Sequence, residues 1–142
     1  MSVRLVRPED GPAIATLLDQ LGYPATKTFI RSKIDNILND PNATLLVAED
    51  NGVVIAFIAI NFITQLGLEG DFARISYFAV SDEYRSKGIG RELEARCEAL
   101  ARERNCDRIE VHCSDYRTDA HRFYARQGYV ESPKYLMKKP RL

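Results

Sequence analysis

The pair Asn51-Gly52 constrains the fold of this chain more than any other two residues. It is flanked by "TLLVAED" (44–50) and "VVIAFIAINF" (53–62), two largely apolar runs. Asn-Gly suits the two positive φ angles of a type I′ turn, so the segment reads as an antiparallel hairpin. The remaining elements must therefore be arranged around a sheet.

Those elements follow from periodicity. "VRLVR" from Val3 alternates like a strand, Pro8, Asp10 and Pro12 interrupt it, and Ile14, Leu17, Leu18 and Leu21 recur at helical spacing up to Gly22. Ile30, Ile34, Ile37 and Leu38 form a second helical stripe, ended at Asp40-Pro41 because the residue before proline disfavours helix. "ARISYFAV" (73–80) is a strand that feeds "SDEYRSKGIG" and then a helix with the stripe Ile89, Leu93, Cys97, Leu100 and Ala101. "RIEVHC" (108–113) reads as a strand and "TDAHRFYARQG" (118–128) as a short helix ended by Gly128. "YVES" and "KYLMKK" read as closing strands divided by Ser132-Pro133. The order β-α-α-β-β-β-α-β-α-β-β predicts an α/β (α+β) fold, a mixed sheet with helices on its faces. The crossover through the Gly88 helix makes two strands parallel neighbours.

With 142 residues and 45% hydrophobic content, the chain suits a single domain over 1–142. Twenty basic residues balance twenty acidic ones, which leaves no global field for a nucleic acid or an anionic membrane. The longest apolar run, about Val53 to Ile60, is far short of a membrane span, and "MSVRLVRPED" lacks the apolar core of a signal peptide. A cytoplasmic protein is expected. Cys97, Cys106 and Cys113 are an odd number without CxxC spacing, so free thiols are expected and no metal site.

The chemistry concentrates in "YRSKGIGREL" (84–93). A dinucleotide fingerprint GxGxxG fits at Gly88 and Gly90 but meets Leu93 at the third glycine, and no Gly-Lys-Ser or Gly-Lys-Thr exists for a nucleotide triphosphate loop. Two readings remain. Gly88 and Gly90 could serve an ordinary strand-to-helix turn. Alternatively, the amides from Ser86 to Arg91, aided by the helix dipole, cradle a pyrophosphate that glycine lets approach the backbone.

"V-x-x-x-Y-R-S-K-G-I-G" from Val80 resembles the R/Q-x-x-G-x-G/A acetyl-coenzyme A loop of the GNAT superfamily of N-acetyltransferases. "AHRFYARQGY" resembles that family's late helix, A-x-x-x-Y-x-x-x-G-F/Y, and the element order resembles the GNAT fold, with its mostly antiparallel sheet, along essentially the whole chain. The resemblance implies transfer of acetyl from acetyl-CoA to a primary amine, by direct transfer in a ternary complex and without a metal.

It also implies roles. Phe78, Ala79 and Val80 would meet the pantetheine arm as a further strand, with an N–H near Ala79 facing the thioester carbonyl. Arg85, Ser86, Lys87, Gly88, Ile89, Gly90 and Arg91 would hold the pyrophosphate or 3′-phosphate, the basic side chains acting as phosphate partners. Tyr124 falls on the late-helix tyrosine, the acid for the departing thiolate, although Ala120, Phe123, Tyr124 and Gln127 also share a packing face.

Two positions depart from the family pattern. Tyr77 stands where many members carry a glutamate base, which leaves Glu69, Asp71, His112 or water for that task; solvated carboxylates and a strand histidine are the simpler readings. Arg117 stands where asparagine is common and could meet a cofactor phosphate or a substrate anion. Cys113 lacks a neighbouring base in sequence, so a covalent acetyl-enzyme is not expected.

The acceptor would enter past Tyr23, Pro24, the 65–71 segment and Tyr77, where aromatics and acids suit a small cationic amine. The family makes a homodimer common. Two alternatives are a non-catalytic acyl-CoA-binding sensor, favoured by Tyr77, and an enzyme acting on a protein amine.

Overall fold

The computed structural model of the protein describes residues 1–114, 117–132 and 135–140. They form two compact units, Met1–His112 and Cys113–Leu142.

The first unit is built on a five-stranded sheet: β1 (Ser2–Leu5), β2 (Ala43–Asp50), β3 (Val53–Ile63), β4 (Asp71–Val80) and β5 (Cys106–Val111), side by side in that order. All neighbours are antiparallel except β4 and β5. The hairpin of β2 and β3 turns where expected, with φ 50° at Asn51 and 79° at Gly52. The parallel pair results from the expected crossover, made by the helix α3 (Ile89–Glu103).

α1 (Gly11–Leu21) and α2 (Ile30–Leu38) precede the hairpin. The left-handed Gly22, φ 104°, closes α1 where a side chain would be strained. Ile14, Leu17 and Leu18 of α1 and Ile34 of α2 pack on Leu45, Val47, Phe57, Ala59 and Ala79, forming the core on one sheet face. The intervening strand residues Ala48, Ala56, Ile58 and Ile60 are also buried, because α3 covers the opposite face with Ile89, Leu93, Cys97 and Ala101. Leu93 is fully buried there, and truncating such a leucine typically costs about 3 kcal/mol.

At the end of β1, Arg4 forms a two-pronged pair with Asp10, 2.8 and 2.9 Å, and a 2.9 Å bond to Glu49 on β2. The amide of Arg7 also donates to Asp10, at 2.7 Å. This buried carboxylate ties the start of α1 to the sheet edge.

The second unit carries α4 (Thr118–Arg126), ended by Gly128 at φ 95°. The expected closing strands are corrected here. Residues 129–132 and 135–140 have no strand assignment, while Pro133 and Lys134 lie outside the described residues. Val130, Tyr135, Leu136 and Met137 are exposed, so their apolar alternation is not matched by a buried sheet face. β5 likewise stops at Val111, which leaves His112 and Cys113 beyond it. Among the described residues no helix is long and apolar enough to cross a membrane.

Candidate active site

Two features of β4 shape the site. The first is where its pairing ends. β4 and β5 are paired from Asp71–Cys106 to Ile75–Val111, yet β4 continues along β3 to Val80. Among the described residues the pairing of the two parallel strands therefore ends at Ile75 and Val111, five residues before β4 itself does.

The phase of the β3–β4 ladder decides which amides face that side. The Ser81 N–H donates to the Ile55 carbonyl, 2.8 Å. Bonded pairs recur every second residue in an antiparallel ladder, so Ala79, opposite Phe57, also turns its N–H toward β3. Of the amides near Ala79, its own is therefore engaged with β3. The N–H groups directed away from β3 are those of Phe78 and Val80.

The second feature is a bulge. Tyr77 stands opposite Ala59 while Ile75 stands opposite Ile60, so Ser76 is one residue in excess; its hydroxyl donates to the Ala59 carbonyl, 3.3 Å. The extra residue turns Tyr77 onto the face that carries α1 and α2. There its ring meets Tyr23 edge-on, with centroids 5.2 Å apart. Two of the expected acceptor-side residues are in this way brought together.

After β4 comes the glycine loop. Asp82–Tyr84 form a single 3-10 turn, then Ser86 at φ 64° and Gly88 at φ 81° redirect the chain into α3. Gly88 is the N-cap, and the first intrahelical donor is Glu92, which bonds the Gly88 carbonyl at 3.1 Å. The amides of Ile89, Gly90 and Arg91 therefore have no acceptor within the helix, as at any helix start. A Cβ built on Gly88 meets no atom within 4 Å, so its need for glycine lies in φ rather than in contact with the protein.

The basic side chains around the loop are engaged locally. Arg85 pairs with Asp82 at 2.8 Å, and the Lys87 ammonium lies 5.3 Å from the Tyr84 ring centre. Both are exposed, as is Arg91, so these attachments are weak and exchangeable.

Glu69 sits in the exposed bend between β3 and β4, and Asp71 opens β4 opposite Cys106. In the second unit, Tyr124 packs edge-on against Phe123, 5.3 Å, and Tyr129, 5.4 Å. Arg117 is the N-cap of α4; its amide donates to the Ser114 carbonyl and its own carbonyl accepts from His121. Burial raises the Cys113 thiol above its usual pKa, with Arg117 opposing, so it is not an activated nucleophile.

Sequence reasoning missed a polar group on the α1 side of the sheet. Arg74 donates to Glu110 Oε1 at 3.1 Å, and Arg108 donates to Glu110 Oε2 at 2.8 Å. Burial pushes the Glu110 carboxyl up, but the hydrogen bonds from Arg74 and Arg108 outweigh it and hold the acid below its ordinary pKa. The alternation of "ARIS" and "RIEV" hints at charges on one face, but their encounter depends on a parallel register that no local pattern states. Among the described residues no cluster of three or more His, Cys, Asp or Glu side chains could hold a metal.

The strand that parts from its parallel neighbour and the left-handed glycine that opens α3 are the two local features of this region. The chain belongs to the acetyltransferase (GNAT) family, whose model matches residues 13–129. It is 34% identical over 116 residues to an aminoalkylphosphonate N-acetyltransferase of Salmonella typhimurium, covering 82% of this chain and 73% of that one. It is 32% identical over 132 residues to an uncharacterized N-acetyltransferase of Chlorobaculum tepidum, covering 93% and 77%. Among solved structures, an acetyltransferase of Agrobacterium tumefaciens matches with a TM-score of 0.88 at 22% identity, over 99% of this chain and 100% of that one. An aminoglycoside N-acetyltransferase solved in complex with CoA matches with a TM-score of 0.86 at 16% identity, over 99% and 95%.

Proposed function

We propose that this protein moves the acetyl group of acetyl-CoA to the primary amine of a small molecule, directly and in a ternary complex. The observation that carries the reading is the run from β4 into α3: strands that separate after Ile75 and Val111, then Ser86 and Gly88 at positive φ, then the first amides of a long helix. The CoA complex of the aminoglycoside enzyme and the aminoalkylphosphonate specificity in the name of the 34% identical relative support the donor and the acceptor class.

In this reading acetyl-CoA supplies an activated thioester. The amides of Phe78 and Val80 receive the pantetheine arm, and a fixed N–H dipole there stabilises charge on the thioester oxygen as the amine attacks. The amides of 86–91 hold the pyrophosphate, with Arg85 and Lys87 released from their local partners and Arg91 beside them to join. As the C–S bond breaks, Tyr124 gives its proton to the thiolate; a phenol of pKa ~10 serves a bound thiolate adequately. Tyr77 carries no carboxylate, so the amine loses its proton to water or to a carboxylate such as Glu69 or Asp71. Arg117 is assigned to an anion of cofactor or substrate.

The family match spans 13–129 and so crosses both compact units, which supports a single acetyltransferase domain. A cytoplasmic location belongs to the same proposal, since thiols such as Cys97, Cys106 and Cys113 stay reduced there. The test is release of free thiol from acetyl-CoA against a panel of small amines, aminoalkylphosphonates included. Amine-dependent release supports transfer. Acetyl-CoA binding without release for any amine favours the second reading, a non-catalytic acyl-CoA sensor, for which the engaged, non-acidic Tyr77 is the motivating observation.

A further inference from the structure

We infer that Arg74 reads a negative charge on the acceptor, so that the acetylated amine belongs to a small molecule that also carries a phosphonate or carboxylate group; this rests on the acetyltransferase reading above. The argument begins with the bulge at Ser76. Arg74 lies opposite Asn61 and Tyr77 opposite Ala59, two residues apart on unbroken β3, so both side chains stand on the same sheet face. Without the extra residue, Tyr77 at i+3 would point to the opposite face. The bulge therefore sets the guanidinium-bearing residue and the aromatic side by side, about 7 Å apart along the strand. Tyr23 closes on Tyr77 from the link between α1 and α2.

The two arginines of this face differ in how fully they are used. Arg108 is saturated. Its Nε and Nη2 donate to Glu110, its Nη1 donates to Gln65 Oε1 at 2.6 Å, and Asp107 lies 3.3 Å away. Arg74 spends one donor, Nη2, on Glu110, and its Nε is buried with no acceptor. A guanidinium has five donors in a fixed fork, and a buried donor left unmade is costly. Its side chain is nevertheless 37% exposed, so an incoming oxyanion can reach the guanidinium, though not the buried Nε itself. Glu110 divides its two oxygens between two guanidiniums and leaves Arg74 only half neutralised.

The direction along β4 completes the picture. Arg74 precedes Tyr77, and Tyr77 precedes the amides of Phe78 and Val80, where the thioester is proposed to lie. A short molecule aligned with the strand would put its amine near Phe78, its carbon chain across the Tyr77 and Tyr23 rings, and its anion on Arg74. Planar, forked donors suit carboxylate and phosphonate oxygens alike.

The test compares 3-aminopropylphosphonate and 4-aminobutyrate with butylamine, by calorimetric binding in the presence of CoA and by kcat/KM for thiol release. The wild type is expected to favour the two acids over butylamine at least tenfold, and the ranking of the two acids identifies the anion. Arg74→Gln is expected to reduce that preference at least tenfold. Glu110→Gln, which removes the competing carboxylate, is expected to raise it at least threefold, and it decides the matter should Arg74→Gln not fold. No preference in the wild type, an unchanged preference in Arg74→Gln, or an unchanged or weaker preference in Glu110→Gln overturns the assignment. Preferential binding without acetyl transfer to any of the three compounds overturns the catalytic reading and leaves the Arg74 assignment standing.

Discussion

Ile75 and Val111 are the last paired residues of the two parallel strands, while β4 runs on to Val80 along β3. The chain thus keeps one edge of β4 bonded within the sheet and turns the amides of Phe78 and Val80 toward the other. Proline tests this division, since it removes an N–H wherever it is placed. Ala79→Pro should break a β3 ladder bond and lower the melting temperature more than Val80→Pro does. Val80→Pro should instead lower kcat about a hundredfold, the usual loss for one oxyanion donor. Thermal melts and steady-state kinetics of the pair check both halves.

Gly52 and Gly88 provide a matched comparison. Both have φ near 80°, and a Cβ at either meets nothing within 4 Å. Valine should strain both alike, by roughly 2 kcal/mol. Only Gly88→Val should also weaken acetyl-CoA binding, by at least tenfold, because only there does a phosphate need the space. Equal cofactor affinity in the two variants would remove the phosphate-loop assignment.

Tyr124→Phe keeps the ring that packs against Phe123 and Tyr129 and removes the hydroxyl. Turnover should fall between about ten- and a thousandfold with acetyl-CoA affinity nearly unchanged. Unchanged turnover would return Tyr124 to a packing role.

Asp10 links stability to pH. The hydrogen bond from Arg4 holds its carboxyl below the ordinary pKa against the opposing effect of burial. A depressed folded-state pKa contributes stability that is present above the unfolded value, roughly 4, and is lost as pH falls through the folded value. Asp10→Asn should cost about 3 kcal/mol at pH 7, a fall of roughly 10 °C in Tm, and should flatten the decline in Tm below pH 4. Melts of both proteins between pH 7 and pH 2.5 measure this.

The burial of Cys97, whose thiol is pushed up to about 12, gives a further expectation. At pH 8 a thiol reagent should leave Cys97 unmodified in the native protein and label it on unfolding. Mass spectrometry of the labelled peptides reads the outcome.

Features with local causes were legible in the sequence. Asn51-Gly52 sets its own φ angles, Gly22 and Gly128 end helices, and the stripe from Ile89 to Ala101 gave α3 and the crossover it makes. What was missed depends on pairing between distant strands. Nothing in "RISYFAV" states that Ser76 is supernumerary, so neither the shared face of Arg74 and Tyr77 nor which amides near Ala79 turn away from β3 could be read from it. Arg74 and Glu110 meet across a parallel register separated by 36 positions. The closing strands failed for a related reason: alternation in "YVES" and "KYLMKK" describes a strand's faces but does not supply its neighbour.

The central claim is that the β4–α3 run binds acetyl-CoA. Its most direct test is thermal unfolding of the protein with and without acetyl-CoA, with Gly88→Val beside it. Ligand at ~100 times its dissociation constant should add ~2.7 kcal/mol of stability and raise the wild-type Tm clearly, while Gly88→Val, binding at least tenfold more weakly, should gain at most ~1.4 kcal/mol at the same concentration. An unmoved wild-type Tm at millimolar acetyl-CoA, or an equal rise in both proteins, would contradict the account.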